Sequence, residues 1–223
     1  MNEYIFLIHI VTILLFTLLS LRLGLTALGT WICIQALCAN LFVLKQVELF
    51  GYQVTCSDVF AIGSILGLNL IQEHYGSSDA QKIIRHCFYF LLFFSVLSQI
   101  HLLYTPSHYD TTQRAYETLL APAPRLLFAS LLTFFLTQKV DLYLFKKLKA
   151  YLPTYGFALR TFVSLMLSQL LDTIFFTLIG LYGLIHSLFD MILLSFLIKA
   201  SIIAIFFPLI HLCHKWTQPK EVL

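Results

Sequence analysis

The sequence predicts an all-α integral membrane protein with six to seven transmembrane helices. Three observations carry this. Only 11% of the 223 residues are charged, against about 25% in a soluble domain. The apolar share is 59% and runs through the whole chain, with a mean hydropathy of +0.86. It is also divided into runs of roughly 17–25 residues, the length a helix needs to cross a bilayer.

Seven runs follow in order: 4–21, 25–44, 58–74, 88–104, 125–144, 157–184 and 188–213. Only Arg22, Leu23 and Gly24 separate the first two, which predicts a tight helical hairpin. The third is short and carries Gly63 and Gly67, a composition that points to a bent or tilted helix. Segment 105–124 holds three prolines and little apolar pattern, and reads as a loop. The sixth run is longer than a bilayer requires and leaves room for tilt or a polar start. The whole reads as one membrane domain, with 1–24 an additional N-terminal helix and 25–213 the core. The first run lacks the basic flank and small-residue cleavage site of a signal peptide, so it is expected to stay in place.

The basic residues set an expected orientation. With the N-terminus outside, seven spans place Arg22, Lys82, Arg85, Lys146, Lys147, Lys149, Lys215 and Lys220 inside, and Lys45, Arg114 and Arg125 outside. Eight against three fits the positive-inside bias and puts the C-terminus in the cytoplasm.

Against this background the polar residues stand out. The fifth run contains TQKVDLYLF (137–145) and the sixth SQLLDTIFF (168–176): a small hydroxyl, Gln, two residues, Asp, then an aromatic. Residues three apart share a helix face. Gln138 and Asp141, and likewise Gln169 and Asp172, therefore present an amide beside a carboxylate. Each pair has an arginine upstream, Arg125 or Arg160, and Ser164 and Ser168 extend the second stripe at four-residue steps. Two matched polar faces point to a shared cavity. The third run adds Asn69, Gln72 and Glu73, the second ends near Asn40, and Lys199 lies in the middle of the last. A charged side chain at membrane depth costs roughly 2.5–3.5 kcal/mol on insertion scales, and commonly marks a substrate or ion pathway.

Plainer readings stand beside these. Asn40 and Gln72 also fit as polar glue between helices. Asp141 lies close to Lys139, Lys146 and Lys147, so an interfacial ion pair accounts for it equally. Arg125 fits a snorkelling helix end, and Glu73 fits an interface beside Gly76. Asp172 and Lys199 are flanked by apolar runs on both sides and resist such readings, except as a structural pair with each other.

Several function classes are excluded as expectations. No nucleophile elbow, zinc-protease helix or phosphate-binding glycine loop is present, so no enzyme is expected. The eight histidines form no ligand spacing, and no metal site or cofactor is expected. Cys33, Cys38, Cys56, Cys87 and Cys213 show no paired spacing and read as small apolar fillers. Basic residues are not interleaved with aromatics, so nucleic-acid binding has no support.

Three segments together, SDVFAIGSILGLNLIQEHYG (57–76), LTQKVDLYLFKKLK (136–149) and RTFVSLMLSQLLDTIFF (160–176), resemble the vitamin uptake transporter family, also called YhhQ. The resemblance covers roughly residues 40–212. It implies a multi-pass protein of the bacterial inner membrane, similar in fold to the S-components of energy-coupling-factor transporters. It also implies import of queuosine precursors: 7-cyano-7-deazaguanine, 7-aminomethyl-7-deazaguanine or queuine. A deazaguanine edge offers a ring N–H and an amine, which a carboxylate accepts as a pair, with an amide beside it. Asp172 with Gln169, or Glu73 with Asn69, fits that task, and Phe60, Tyr143, Phe175 and Phe176 lie near enough to flank a flat ring. The expected substrate-binding set is therefore Asn40, Asn69, Gln72, Glu73, Gln138, Asp141, Arg160, Ser168, Gln169, Asp172, Phe176 and Lys199. Proton symport through Asp172, Asp141 or Glu73, partner ATPase subunits and facilitated diffusion remain three open energy sources. Rival readings are import of another vitamin or nucleobase-like solute, and a non-transport membrane assembly protein.

Overall fold

The computed structural model describes residues 1–55, 57–151 and 157–216, without the side chains of 138, 141, 142, 145, 146, 148–151, 157–162, 164, 165, 202 and 204–216. Helices dominate: α1 (Asn2–Leu23), α2 (Leu25–Phe42), α3 (Asp58–His74), α4 (Ser77–Leu102), α5 (Gln113–Leu120), α6 (Ala123–Tyr151), α7 (Phe157–Phe176) and α8 (Leu188–Trp216). A two-stranded hairpin, β1 (Gln46–Leu49) and β2 (Tyr52–Thr55), joins α2 to α3.

The outer surface is built for lipid. In α1 only Phe6, Ile13, Thr17 and Ser20 are buried, a single stripe along the helix. Ile5, Leu7, Ile8, Val11, Leu15 and Phe16 face outward. On α4, Phe90, Phe93, Val96, Leu97 and Ile100 do the same. Such apolar exposure is unfavourable in water and neutral in hydrocarbon. Among the described residues four stretches are long and apolar enough to cross a bilayer: Asn2–Leu23, Leu25–Phe42, Ser77–Leu102 and Gln113–Thr137. The chain is a multi-pass membrane protein.

Gly24 alone separates α1 from α2, and its φ of 102° makes the reversal that an L side chain resists. Trp31 on α2 donates from Nε1 to Thr17 Oγ1 at 2.9 Å, fastening the pair. The glycines of α3 have a purpose other than bending. A Cβ on Gly63 would lie 1.8 Å from Gln35 Oε1 and 2.4 Å from Ile13 Cγ2, and one on Gly67 would lie 2.7 Å from Ile32. They let α3 press against α1 and α2, in the small-residue packing that membrane helices use.

Three elements depart from the sequence expectation. The hairpin arises because Phe50 and Gly51 both adopt positive φ (52° and 83°), giving a two-residue turn matched to strand twist. Its signal is weak in sequence, since Phe stands where Asn or Asp usually does. Segment 105–124 is not loop throughout but contains α5. Asp110 accepts from the backbone and hydroxyl of Thr112, both at 2.7 Å, a local turn that starts the helix. Pro124 falls in the first turn of α6, where its missing N–H costs nothing. Finally, the sixth run is not one uniform helix, because α7 widens into a π-helical turn at Thr177–Leu181. Arg125, exposed near the start of α6, donates to the carbonyls of Ile179 (3.0 Å) and Tyr182 (2.7 Å) and so satisfies backbone groups there.

The hairpin, the N-terminus and the α7–α8 connection meet at one end of the bundle. Asn2 donates to the Glu48 carbonyl, and Gln46 Oε1 accepts from the backbone of His186. Leu49 and Val54 turn inward from the hairpin into the core with Val43, Val59, Leu181 and Met191. Crowding at Gly63 gives a test. Gly63→Val should lower the thermal midpoint in detergent, by an amount equivalent to about 1–3 kcal/mol of overpacking. An unchanged midpoint would contradict the close approach.

Candidate functional site

One cavity of about 470 Å³ lies inside the bundle, within the range of small-molecule sites. Residues from both ends of α3, Asp58 and Gln72, line it. It therefore follows a helix of 17 residues, roughly 25 Å long. α2, α4, α6, α7 and α8 complete its walls.

Its floor is charged. Lys199, from the middle of α8, donates from Nζ to Asp172 Oδ2 at 3.0 Å and to Thr173 Oγ1 at 3.1 Å. The lysine side chain is 8% exposed and the aspartate 32%, so the aspartate is the cavity-facing partner. Ser195, one helical turn before Lys199, donates to Asp58 Oδ2 at 2.6 Å. α3, α7 and α8 thus meet at two polar contacts: Lys199 with Asp172 and Thr173, and Ser195 with Asp58. Two of the three N–H groups of Lys199 are accounted for among the described residues.

Above this floor the walls carry unmet polar atoms. Asn40 Oδ1, Ser64 Oγ, Thr133 Oγ1 and Gln169 Oε1 are buried, lack a hydrogen-bond partner among the described residues and belong to residues that line the cavity. Buried polar groups are nearly always paired, and each unpaired one costs about 1–3 kcal/mol. Four on one cavity leave hydrogen-bonding positions open to a polar occupant, whether water or a solute. Phe88 and Phe134 form an edge-to-face pair, with centroids 5.1 Å apart, and line the cavity with Phe176.

The structure brings Asn40, Asn69, Gln72, Ser168, Gln169, Asp172, Phe176 and Lys199 to this cavity. Glu73 is exposed and is not among the residues that line it, whereas Asn69 is. Gln138, Asp141, Arg160 and Ser164 lie outside the described side chains. Tyr143 is on the surface under Lys147 Nζ, 4.7 Å from the ring centroid. Phe60 packs against His9 and Phe42. Thr137 and Ser168, which open the two related motifs, both line the cavity. Sequence reasoning missed Asp58, Ser64, Thr133, Phe88 and Phe134. Asp58 was legible only as a helix start, and small hydroxyls are common in membrane helices.

Removing one member of the charge cluster should separate stability from function. Breaking a buried pair costs roughly 3–5 kcal/mol, and the partial exposure of Asp172 brings the expected loss for Lys199→Met toward the lower end. Adding Asp172→Asn to Lys199→Met should recover part of the lost thermal midpoint. A midpoint unmoved by Lys199→Met would contradict the buried pairing.

Residues 55–213 match the model of the putative vitamin uptake transporter family. A probable queuosine precursor transporter of Bacillus subtilis (strain 168) is 31% identical over 217 residues, covering 96% of this chain and 93% of the relative. No solved structure matches the chain, so likeness to energy-coupling-factor S-components rests on the sequence resemblance. A transporter and not an enzyme is what these matches indicate, in agreement with the apolar helices and the solute-sized cavity; the chain belongs to the putative vitamin uptake transporter family.

Proposed function

We propose that this chain imports queuosine precursors, the 7-deazaguanine bases, across a bacterial inner membrane. The four unpartnered polar atoms on one aromatic-walled cavity carry the reading, and the name of the Bacillus subtilis relative supplies the solute class. A deazaguanine presents a ring N–H and an exocyclic amine beside a ring carbonyl. Asp172 has four acceptor positions, of which Lys199 uses one among the described residues. It accepts the N–H and the amine. Gln169 Oε1 and Asn40 Oδ1 are further acceptors, and the hydroxyls of Ser64 and Thr133 can donate to the carbonyl. The flat ring stacks or wedges among Phe88, Phe134 and Phe176. A solute lacking the matching donors leaves these groups unpaired and is rejected.

The test is restoration of uptake in cells that neither make queuosine nor import its precursors. Each 7-deazaguanine, and queuine, is supplied at low concentration and tRNA is assayed for the modification. The wild-type chain should restore it. Asp172→Asn, inserted normally, should lower initial uptake roughly ten- to hundredfold, the equivalent of one charge-assisted hydrogen bond. No restoration by any precursor from well-inserted protein would overturn the reading. Two further readouts resolve energy source: collapse of uptake with the proton gradient selects symport, ATPase subunits that co-purify with the chain select an energy-coupled complex, and neither selects facilitated diffusion.

A further inference from the structure

Cys33 on α2 and Cys87 on α4 are 54 residues apart in sequence, yet their sulfurs lie 3.2 Å from each other. Both are free thiols. One turn earlier on each helix, a Cβ on Gly29 would lie 2.4 Å from Ile83 Cδ1. The two backbones are therefore close along this seam, and not only at the thiols. A disulfide needs an S–S distance of about 2.05 Å, so the sulfurs need to close by roughly 1.2 Å. Cys87 also lines the cavity, whereas Cys33 is not among the lining residues. A small oxidant that enters the cavity meets one thiol with its resolving partner directly behind it.

We propose that Cys33 and Cys87 are a redox modification site, oxidised by a hydroperoxide to a disulfide that tethers α2 to α4. One sulfur of the pair, as thiolate, attacks a peroxide oxygen and breaks the O–O bond. This gives a sulfenic acid and, after proton transfer, one water from hydrogen peroxide. The other thiol loses its proton, attacks the sulfenic sulfur, forms the S–S bond and expels a second water. Two thiols lose two electrons and two protons, and hydrogen peroxide becomes two waters. A thiol-disulfide reductant reverses the step by exchange. Both helices are cavity walls, α2 through Ile32, Ala36 and Asn40 and α4 through Ile84, Phe88 and Leu91. The tether fixes one wall against the other. Its effect on transport, closing uptake, rests on the importer reading; the disulfide itself does not.

The experiment uses the full chain in nanodiscs, treated with hydrogen peroxide, then alkylated and digested without reductant. The expected result is a linked Cys33–Cys87 peptide, a mass about 2 Da below the sum of its reduced parts, and loss of N-ethylmaleimide labelling at both positions. Cys38, also a free thiol, keeps its label. Dithiothreitol restores the reduced form, and Cys33→Ser gives no linked peptide. Absence of the linked peptide, or equal pairing with Cys38, overturns the proposal. In uptake assays peroxide should lower wild-type transport several-fold and leave Cys33→Ser transport unaffected. Equal sensitivity of both overturns the transport consequence. Absence of uptake before oxidation instead counts against the importer reading, while the linked peptide still decides the thiol pair.

Discussion

The ammonium of Lys199 lies inside a helical bundle, with 8% of its side chain exposed, and its described partners, Asp172 and Thr173, come from α7. One turn earlier on α8, Ser195 donates to Asp58 of α3. An unpaired cation at this depth is costly, so the register of α8 against α7 and α3 is fixed by charge as well as shape. Ser195 and Lys199 are one turn apart and share a face. A one-residue rotation of α8 would break both contacts at once.

The rest of the bundle combines a tightly packed seam with a receptive cavity. Gly63 and Gly67 bring α3 against α1 and α2 with no room for a methyl group, and Leu28, Ile32 and Ile71 fill that seam at 1% exposure or less. The cavity is walled by α2, α4, α6, α7 and α8 as well as α3, and the unmet polar atoms on it come from α2, α3, α6 and α7. Gln35, packed against Gly63, also has its amide unpartnered among the described residues. Rigid packing on one flank gives the binding groups a fixed frame. At the hairpin end, Leu49 and Val54 insert into the core, and Arg125 holds the π-helical turn. Two carbonyls at the widened turn, those of Ile179 and Tyr182, thus accept from one guanidinium.

Much of this was legible in the sequence because membrane helices obey strong rules. Apolar run length located every long helix, and the cost of buried charge singled out Asp172 and Lys199 before any contact was known. The i, i+3 and i, i+4 spacing could pair residues on one helix, as with Ser168, Gln169 and Asp172. It could not say which helices face one another. Asp58 sits at the start of α3, where an acid normally serves the helix dipole, and only the arrival of α8 turns it into a partner of Ser195. The Glu73–Asn69 pairing met the same limit from the other side: spacing placed them on one face, while the packing left Glu73 exposed. Cys33 and Cys87 had no sequence signature, since their contact is a property of the α2–α4 seam.

The central claim is that the unmet polar atoms of the cavity are completed by a deazaguanine edge. Equilibrium titration of 7-cyano-7-deazaguanine into the purified chain in nanodiscs, with adenine as comparison, tests it most directly. Adenine is as flat but lacks the ring N–H and carbonyl of the guanine edge. Saturable one-site binding of the deazaguanine, with adenine weaker by about a hundredfold or more, is the predicted result. Equal binding of the two bases, or no binding of either to folded protein, would contradict the account.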